Sequence, residues 1–406
     1  MEAIVLAAGI GTRLAPLTNN FPKPLLNIAG KPILKRIIDD LKKSDQINII
    51  NVVVNYQADR IITEINNWYP NDQTIQIIHQ NETNGTADAV NSAILQTNIE
   101  DNFLVINGDV LFEQNLPSMI NTSYKDGLIV GVKTTNPNNY GLIRHKDNLL
   151  LNINEKPDTS STSIEYINAG FYILPKASIS LLSSLKQSKR GELEITDLLN
   201  LLVQENFKIT VLELENHWFD IGYPWEILNA NEFFINKESM TYTIDSKTST
   251  NATIIGNVQI NETANIRNGV YIEGPVFIDD GADIGPNCYI RAHSYIGKNT
   301  RVGNACEIKN SILSENSHVA HLSYIGDTFV GNNTNLGAGT ITANLRHDNK
   351  SIKLNVKEDR VDTGRRKLGA IIGHDVKTGI GVNLLPGVKI SSGSWINAGE
   401  TIKYDL

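Results

Sequence analysis

Four groups of residues in this 406-residue chain have types and spacings that could do chemistry. The first is "LAAGIGTRLAPLTNNFPKPLL" (6–26), with Gly9 and Gly11 in a turn, Thr12 and Arg13 directly after it, and Lys23 between two prolines. Glycines let backbone N–H groups approach phosphate oxygens, and Arg and Lys supply charge to hold a polyphosphate and steady a leaving pyrophosphate. The spacing excludes the dinucleotide fingerprint, which needs a third glycine where Leu14 stands, and there is no Walker A pattern. The second group is Asp109 and Asp220, each closing an apolar run, in "VINGDVLF" and "WFDIGYPW". Two carboxylates at strand ends can share one Mg²⁺, a hard ion that prefers oxygen ligands and substrate phosphates, although by residue type alone each is more commonly a loop or helix-capping aspartate. The third is Arg291 and Lys309, the fourth residues of "CYIRAH" and "CEIKNS", eighteen positions apart. The fourth is His321 in "HVAHLSYIGD" (318–327), a side chain suited to taking a proton near neutral pH.

The elements that must position these residues change character along the chain. Residues 1 to 225 alternate apolar runs with amphipathic stretches. "AIVLAA", "NVVVNY", "IQIIHQ", "FLVING" and "LIVGVK" read as buried strands, and "PILKRIIDDLKK" (32–43), "ADRIITEINNWY" (58–69) and "GTADAVNSAILQ" (85–96) as helices between the first four. That alternation predicts an α/β domain with a largely parallel sheet. "PWEILNANEFFINKES" (224–239) reads as a connecting helix, and residues 226–250 as connecting helix and linker.

Residues 251–406 read differently. Ile or Val recurs at every sixth position from Ile254 to Ile308, the signature of a parallel β-helix whose coils take three hexads each. Arg291 and Lys309 are then one coil apart and stack on one face. Two like charges about 5 Å apart repel by roughly 3 kcal/mol at an effective dielectric of 20, so such a pair suits an anion. The rhythm slips after Ile308, to Leu313, Val319 and Ile325, with His321 in the slipped stretch. The expectation is that the rung yields its regularity to a working site at His321. Residues 345–370 are polar and basic and read as a loop protruding from the prism.

The bulk composition narrows the classes. Lys and Arg number 36 against 44 Asp and Glu, a net charge of −8, which gives no footprint for nucleic acid. No apolar run approaches a membrane span, and "MEAIVLAAG" lacks the basic start of a signal peptide, so a cytoplasmic protein without membrane association is expected. Cys288 and Cys306, the only cysteines, read as reduced, packed thiols one coil apart.

The G-x-G-T-R-L…P-K-P-L stretch resembles the signature of sugar-1-phosphate nucleotidylyltransferases, and further segments resemble that family in order over the first 225 residues. The resemblance implies a Rossmann-like nucleotidyltransferase domain. In it Gly9, Gly11 and Thr12 bind the nucleotide, Arg13 and Lys23 are catalytic, and Asp109 and Asp220 hold Mg²⁺. In "HQNETNGTADAV" (79–90) it implies that Gln80, Gly85 and Thr86 read a pyrimidine. "NYGLI", "NEKP" and "INAGFYIL" imply a sugar-phosphate site of Gly141, Glu155, Lys156 and Asn168. Glu194 in "ELEITD" reads as structural, near a helix start.

"AHLSYIGDTFVGNNTNLGAGTITAN" (320–344) is similar to the acetyltransferase core of the bifunctional bacterial enzymes that N-acetylate glucosamine-1-phosphate and uridylylate the product. This implies a left-handed parallel β-helix with His321 as general base. Tyr324 and Asn335 would hold the amino sugar, Arg291 and Lys309 its phosphate, with Asn344 near the acetyl group and the Ala338 N–H facing the thioester oxygen. Acetyl-CoA is the implied co-substrate and a homotrimer the implied assembly. The loop after Asn344 is about twenty residues longer than in the bacterial enzymes, with Lys350 and Lys353 candidates for coenzyme A phosphates. The signature loop looks more like that of hexose-1-phosphate thymidylyl- or uridylyltransferases, which leaves UTP or dTTP, and glucosamine or galactosamine, as alternatives. The chain as a whole resembles bifunctional archaeal-type enzymes. The competing expectation is a glucose-1-phosphate uridylyl- or thymidylyltransferase whose β-helix is a trimerising or regulatory scaffold.

Overall fold

The computed structural model describes residues 1–406 except 114–115, 121–122, 135–139, 156–163, 189 and 238–247. Its contacts divide the chain into two compact units, residues 1–10 with 32–220, and residues 11–31 with 221–406. The sequence boundary at 225 puts residues 11–31 with the first part of the chain; the contacts put them with the second.

In the first unit nine strands form one sheet. Their order is Ile75–His79, Ile49–Val54, Glu2–Leu6, Phe103–Asn107, Glu165–Leu174, Leu128–Thr134, Thr210–Leu214, Leu149–Glu155, Gly141–Lys146. The first four are mutually parallel. Helices Ile33–Leu41, Ala58–Trp68 and Thr86–Gln96 supply the crossovers that parallel pairing requires. The apolar positions Ile33, Leu34, Ile37, Ile38 and Leu41 bury one face of the first of these helices. The expectation of a largely parallel sheet fails in the other half. Glu165–Leu174 runs antiparallel to all three strands it pairs with, Phe103–Asn107, Leu128–Thr134 and Gly141–Lys146, and Gly141–Lys146 meets Leu149–Glu155 in a hairpin. There the connection is a two-residue turn, Asp147–Asn148, with φ of 52° and 59°, and a short turn can join only antiparallel strands.

The second unit is built on a left-handed parallel β-helix of three sheets. The first runs from Thr253–Ile255 to Thr401–Ile402 in eight strands. The second runs from Val258–Ile260 to Lys389–Ile390 in seven, and the third from Asn265–Ile266 to Trp395–Ile396 in seven. Ile260, Ile266, Ile272, Ile278, Ile284, Ile290, Ile296, Val302 and Ile308 fill the interior, each buried. Helix Pro224–Lys237 precedes it.

The slip in the repeat has a local cause, and it is not at His321. Ile290 pairs with Ile308, eighteen residues on, but Ile296 pairs with Leu313, seventeen on. The residue is lost at the corner after Lys309, where Asn310–Ser311 replaces the longer turn Ala292–Ser294. The next coil loses one at the same corner, after Gly326, so Leu313 pairs with Val330. The strand carrying His321 is regular, with Asn304 opposite His321. The insertion after Ala343 leaves from this same corner, so two shortened turns and the inserted segment stack above one another.

The insertion is not a bare loop. Lys353–Val356 and Asp359–Asp362 form an antiparallel hairpin, and Leu345 bridges Lys367 at its base. Ile352, Leu354 and Val356, alternate residues of "SIKLNV", are buried, and a Cβ on Gly387 would sit 2.6 Å from Ile352 Cγ2. The apolar edge of the hairpin thus lies on the prism while Lys350 and Lys353 point to solvent.

Candidate functional sites

Within the second unit, the signature segment is a compact turn. Gly11 has φ of 71°, a conformation that costs glycine nothing, and its carbonyl accepts the Thr18 hydroxyl at 2.9 Å. A Cβ at Gly11 would lie 3.2 Å from Lys23 Cβ, so the glycine lets the loop close on Lys23, which is buried. Thr12 is exposed beside it. Arg13 lies over the Tyr223 ring at 5.0 Å, and Tyr223 stacks on Trp225 at 4.6 Å. Gly9 belongs to the first unit, with open space where a Cβ would stand.

In the first unit, strand Val110–Phe112 pairs antiparallel with Trp218–Asp220, and Asp220 stands opposite Val110. That register brings Asp109 and Asp220 beside each other from positions 111 residues apart. Among the described residues no three His, Cys, Asp or Glu side chains cluster as a metal site. Carboxylates carried by adjoining strands are of the chemistry that suits a hard ion completing its shell with phosphates and water.

The base-reading candidates are firmly held. Gln80, buried, donates through Nε2 to Asp88 Oδ2 at 2.7 Å, which directs its carbonyl oxygen away from Asp88. Gly85 has φ of 119°, and a Cβ there would meet Leu193 O at 2.4 Å. Thr86 Oγ1 accepts the Ile195 N–H at 2.9 Å, leaving its own hydrogen to donate.

Gly141, Glu155 and Asn168 come together. Gly141 pairs opposite Glu155, a Cβ on it would lie 2.9 Å from Glu155 Oε2 and 3.5 Å from Asn168 Cβ, and only glycine leaves that space open. Asn168 Nδ2 donates to Tyr172 OH at 2.6 Å. Burial pushes the Tyr172 phenol well above its ordinary range, the Asn168 hydrogen bond opposes this, and the charges of Glu155, Asp109 and Glu194 add to the rise. Sequence reasoning missed Tyr172 and also Arg190, whose NH1 lies 3.0 Å from Glu194 and 3.8 Å from Glu155. Neither carries a local signal; a strand tyrosine and a loop arginine are ordinary. Glu194 is the N-cap residue of helix Ile195–Gln204, the structural place expected of it. Lys156 lies outside the described residues.

On the prism, Arg291 and Lys309 stack on adjacent strands of the first sheet, as their spacing requires. Each has a carboxylate: Arg291 NH1 to Glu307 Oε1 and Lys309 Nζ to Asp327 Oδ2, both at 2.8 Å. These anions relieve the repulsion that two bare cations would suffer. Tyr324 follows on the next strand, paired with Glu307, and its hydroxyl accepts from Asn344 Nδ2 at 3.1 Å. Burial first, then Asp327 and Glu307, raise the Tyr324 pKa, while Asn344 and Arg291 oppose them. Tyr289, Glu307, Leu322, Tyr324 and Ile341 line an open groove of about 470 Å³ on this face.

His321 and Ala338 occupy the corner between the third and first sheets on successive coils. The His321 carbonyl accepts the Gly339 N–H at 3.1 Å, and the His321 ring is exposed. Asn335 lies on the third sheet, paired with His318, and so on a different face from Tyr324 within one chain. Asp327 was not anticipated. It is 2% exposed and gathers Lys309, Asn310, Asn344 (2.5 Å) and, at 3.7 Å, Arg365 of the insertion. Cys288 and Cys306 are free, buried thiols, and burial pushes the Cys288 thiol up to about 12.

With this geometry in hand, the chain matches the nucleotidyl transferase family over residues 2–237 and the GMPPB C-terminal domain over residues 272–388. A Bacillus anthracis structure titled as a glucose-1-phosphate thymidylyltransferase covers 57% of this chain and 94% of its own, at 24% identity and a TM-score of 0.52, and shows a shared fold over that share. The fold and the two sites thus define a nucleotidyltransferase joined to a hexapeptide-repeat acyltransferase.

The "Bifunctional protein GlmU" of Methanococcus aeolicus is 43% identical over 407 residues, covering all of this chain and 95% of that protein. The "Bifunctional sugar-1-phosphate nucleotidylyltransferase/acetyltransferase" of Sulfurisphaera tokodaii is 38% identical over 408 residues, covering all of this chain and 98% of that one. The chain belongs to the family of bifunctional sugar-1-phosphate nucleotidylyltransferase/acetyltransferases. No described helix is long and apolar enough to cross a membrane.

Proposed function

We propose that this enzyme N-acetylates glucosamine-1-phosphate, or its galactosamine counterpart, with acetyl-CoA, and transfers UMP or dTMP from the triphosphate to a sugar-1-phosphate. The observation that carries the two-activity reading is the alignment of His321 with Ala338 at one corner of the prism, beside a face bearing Arg291, Lys309 and Tyr324. In the acetyl step, the amine attacks the thioester carbonyl as His321 takes its proton, the C–S bond breaks, and coenzyme A leaves as the thiol. Ala338 N–H faces the developing oxyanion, Asn344 lies near the acetyl group, and Arg291 and Lys309 hold the sugar phosphate. The placing of Tyr324 and Asn335 on different faces of one chain supports a homotrimer whose neighbouring prisms complete each site. Lys350 and Lys353, exposed on the insertion, are suited to coenzyme A phosphates.

In the nucleotidyl step, a sugar-phosphate oxygen attacks the α-phosphorus in line, the bond to the β-phosphate oxygen breaks, and pyrophosphate leaves. Both reactants are anions, so catalysis is mainly positioning and charge neutralisation. Arg13 and Lys23 hold the triphosphate and steady the leaving group, with Gly9, Gly11 and Thr12 admitting it closely. Gln80, Gly85 and Thr86 read the base, and Gly141, Glu155, Lys156 and Asn168 hold the sugar phosphate. Asp109 and Asp220 would hold Mg²⁺, which when bound neutralises phosphate charge. A cytoplasmic setting supplies both nucleotides and acetyl-CoA.

A matrix of UTP and dTTP against sugar-1-phosphates, scored by pyrophosphate, and of amino-sugar-1-phosphates with acetyl-CoA, scored by thiol release, tests both halves. The carboxylates already paired with Arg291 and Lys309 favour a second reading, in which the prism is a trimerising scaffold. Absence of thiol release with every amino-sugar phosphate would establish it.

A further inference from the structure

The segment carrying Arg13 and Lys23 is gripped by the last coils of the prism, within the second unit. His374 follows the strand Ile371–Ile372 and is 5% exposed. Its Nδ1 accepts the Asn332 N–H at 3.0 Å, so the hydrogen of the neutral ring is on Nε2, which donates to Leu17 O at 2.9 Å. Its ring stacks on Phe21, with centroids 4.8 Å apart and planes 24° apart. Ser392, one coil on, accepts the His374 N–H at 3.0 Å and donates to Pro16 O at 3.2 Å. Leu17 and Phe21 stand between Arg13 and Lys23, and the loop is closed internally by the Thr18–Gly11 bond and by the contact of Gly11 with Lys23. Farther along the segment, Asn231 Oδ1 accepts the Ala29 N–H at 3.0 Å, and Gly30 lies so close to the Phe277 ring that a Cβ would stand 1.7 Å from it.

Two of the loop's backbone carbonyls therefore end on prism side chains. A buried carbonyl left without its donor costs free energy, so the bond to His374 selects one loop position among many. We infer that His374 is a positioning residue for nucleotidyl transfer: through Leu17 and Phe21 it sets where the prism holds Arg13 and Lys23. This rests on the reading of those two cations as the triphosphate-handling groups. It follows that the prism is part of the nucleotidyl machinery, and that the two activities can be separated by mutation in the prism without touching the acetyl site.

The test uses the full-length enzyme with three variants. His374→Ala should lower kcat/KM for pyrophosphate release about tenfold or more, the scale at which small misplacements of catalytic groups act, and leave coenzyme A release within about twofold, since the grip on Leu17 lies outside the acetyl site. Backbone amides of residues 14–22 should exchange faster, with those of 318–327, which do not meet His374, unchanged. In His374→Gln the side-chain amide reaches the place of Nε2 and can again donate to Leu17 O, so pyrophosphate release should recover. In His374→Asn the shorter side chain can meet only the Asn332 N–H, and release should stay low. Unchanged release and exchange in His374→Ala, or equal rescue by Asn and Gln, would overturn the inference, because the ring's role would then lie inside the prism. If wild type releases no pyrophosphate with any triphosphate, the functional reading fails instead, and the inference with it, while exchange at 14–22 still reports whether His374 holds the loop.

Discussion

Lys309 Nζ lies 2.8 Å from Asp327 Oδ2, and the corner that joins them is where the prism loses a residue from each of two coils. Asn310 and Asp327 hold the same corner position on successive coils, with φ of 44° and 50°, and Asn310 Nδ2 donates to Asp327 Oδ1 at 2.9 Å. Asn and Asp are the side chains that tolerate a left-handed backbone best after glycine. The shortened turn thus serves a buried carboxylate that orders Lys309 and Asn344 and ties Arg365 of the insertion to them. Burial depresses the Arg365 pKa, with Asp327 and Glu232 countering it.

Removing that carboxylate should be costly. Asp327→Ala leaves Lys309 and Arg365 without their anion and strains the turn, and is expected to destabilise the protein by about 3 kcal/mol, in the range for breaking a buried pair. Asp327→Asn keeps the turn geometry and should lose less. Urea unfolding of the two variants measures the difference; equal midpoints for Asp327→Ala and wild type would show that the network contributes nothing.

His321 is exposed at its corner and can be replaced without disturbing the interior. His321→Ala should slow coenzyme A release about 10²- to 10⁴-fold, the usual worth of a general base, with pyrophosphate release unchanged. Retained thiol release would move the base elsewhere.

The paired strands that bring Asp220 to Asp109 make a sharp test of metal dependence. Asp109→Ala, or chelation of divalent ions with EDTA, should abolish pyrophosphate release and spare acetyl transfer, because no step of the latter uses the pair. Loss of both activities on chelation alone would contradict the assignment of Mg²⁺ to the nucleotidyl site.

His293 sits at the corner before the slip, 3.9 Å from Glu232 and near Lys309. Burial lowers its pKa below 6.5, Lys309 lowers it further, and Glu232 partly opposes both. The unfolded chain therefore takes up a proton at a pH where the folded one does not. The sign follows: no penalty above the unfolded value of 6.5, and a growing loss of stability as pH falls through it. His293→Asn, compatible with the residue's φ of 64°, should flatten the fall in melting temperature between pH 7 and 5. An unchanged slope would place the acid sensitivity at other groups.

Much of the site was legible because its signals are local. Six-residue periodicity reports a side chain's burial within its own coil, so the interior from Ile260 to Ile308 and the stacking of Arg291 on Lys309 could be read directly. The joint spacing of Gly11, Arg13 and Lys23 is likewise confined to one turn. Asp327 left a trace that went unread: the aliphatic spacing drops from six to five at Ile308–Leu313 and again at Ile325–Val330, which marks the corner rather than His321. The alternation in "SIKLNV" was an equally plain sign that the insertion contains a strand with one buried side.

By itself the sequence determined the two architectures, the coil length and the identity of the charged groups, because each depends on contacts between near neighbours or on a repeated short period. Only the tertiary structure decided the rest. It set the strand that ends at Asp220 against the one that follows Asp109, and assigned residues 11–31 to the second unit, where His374 meets Leu17 from 357 positions away. Contacts at such separations form when whole surfaces pack, and a lone histidine in a hexad carries no mark of the carbonyl it will meet.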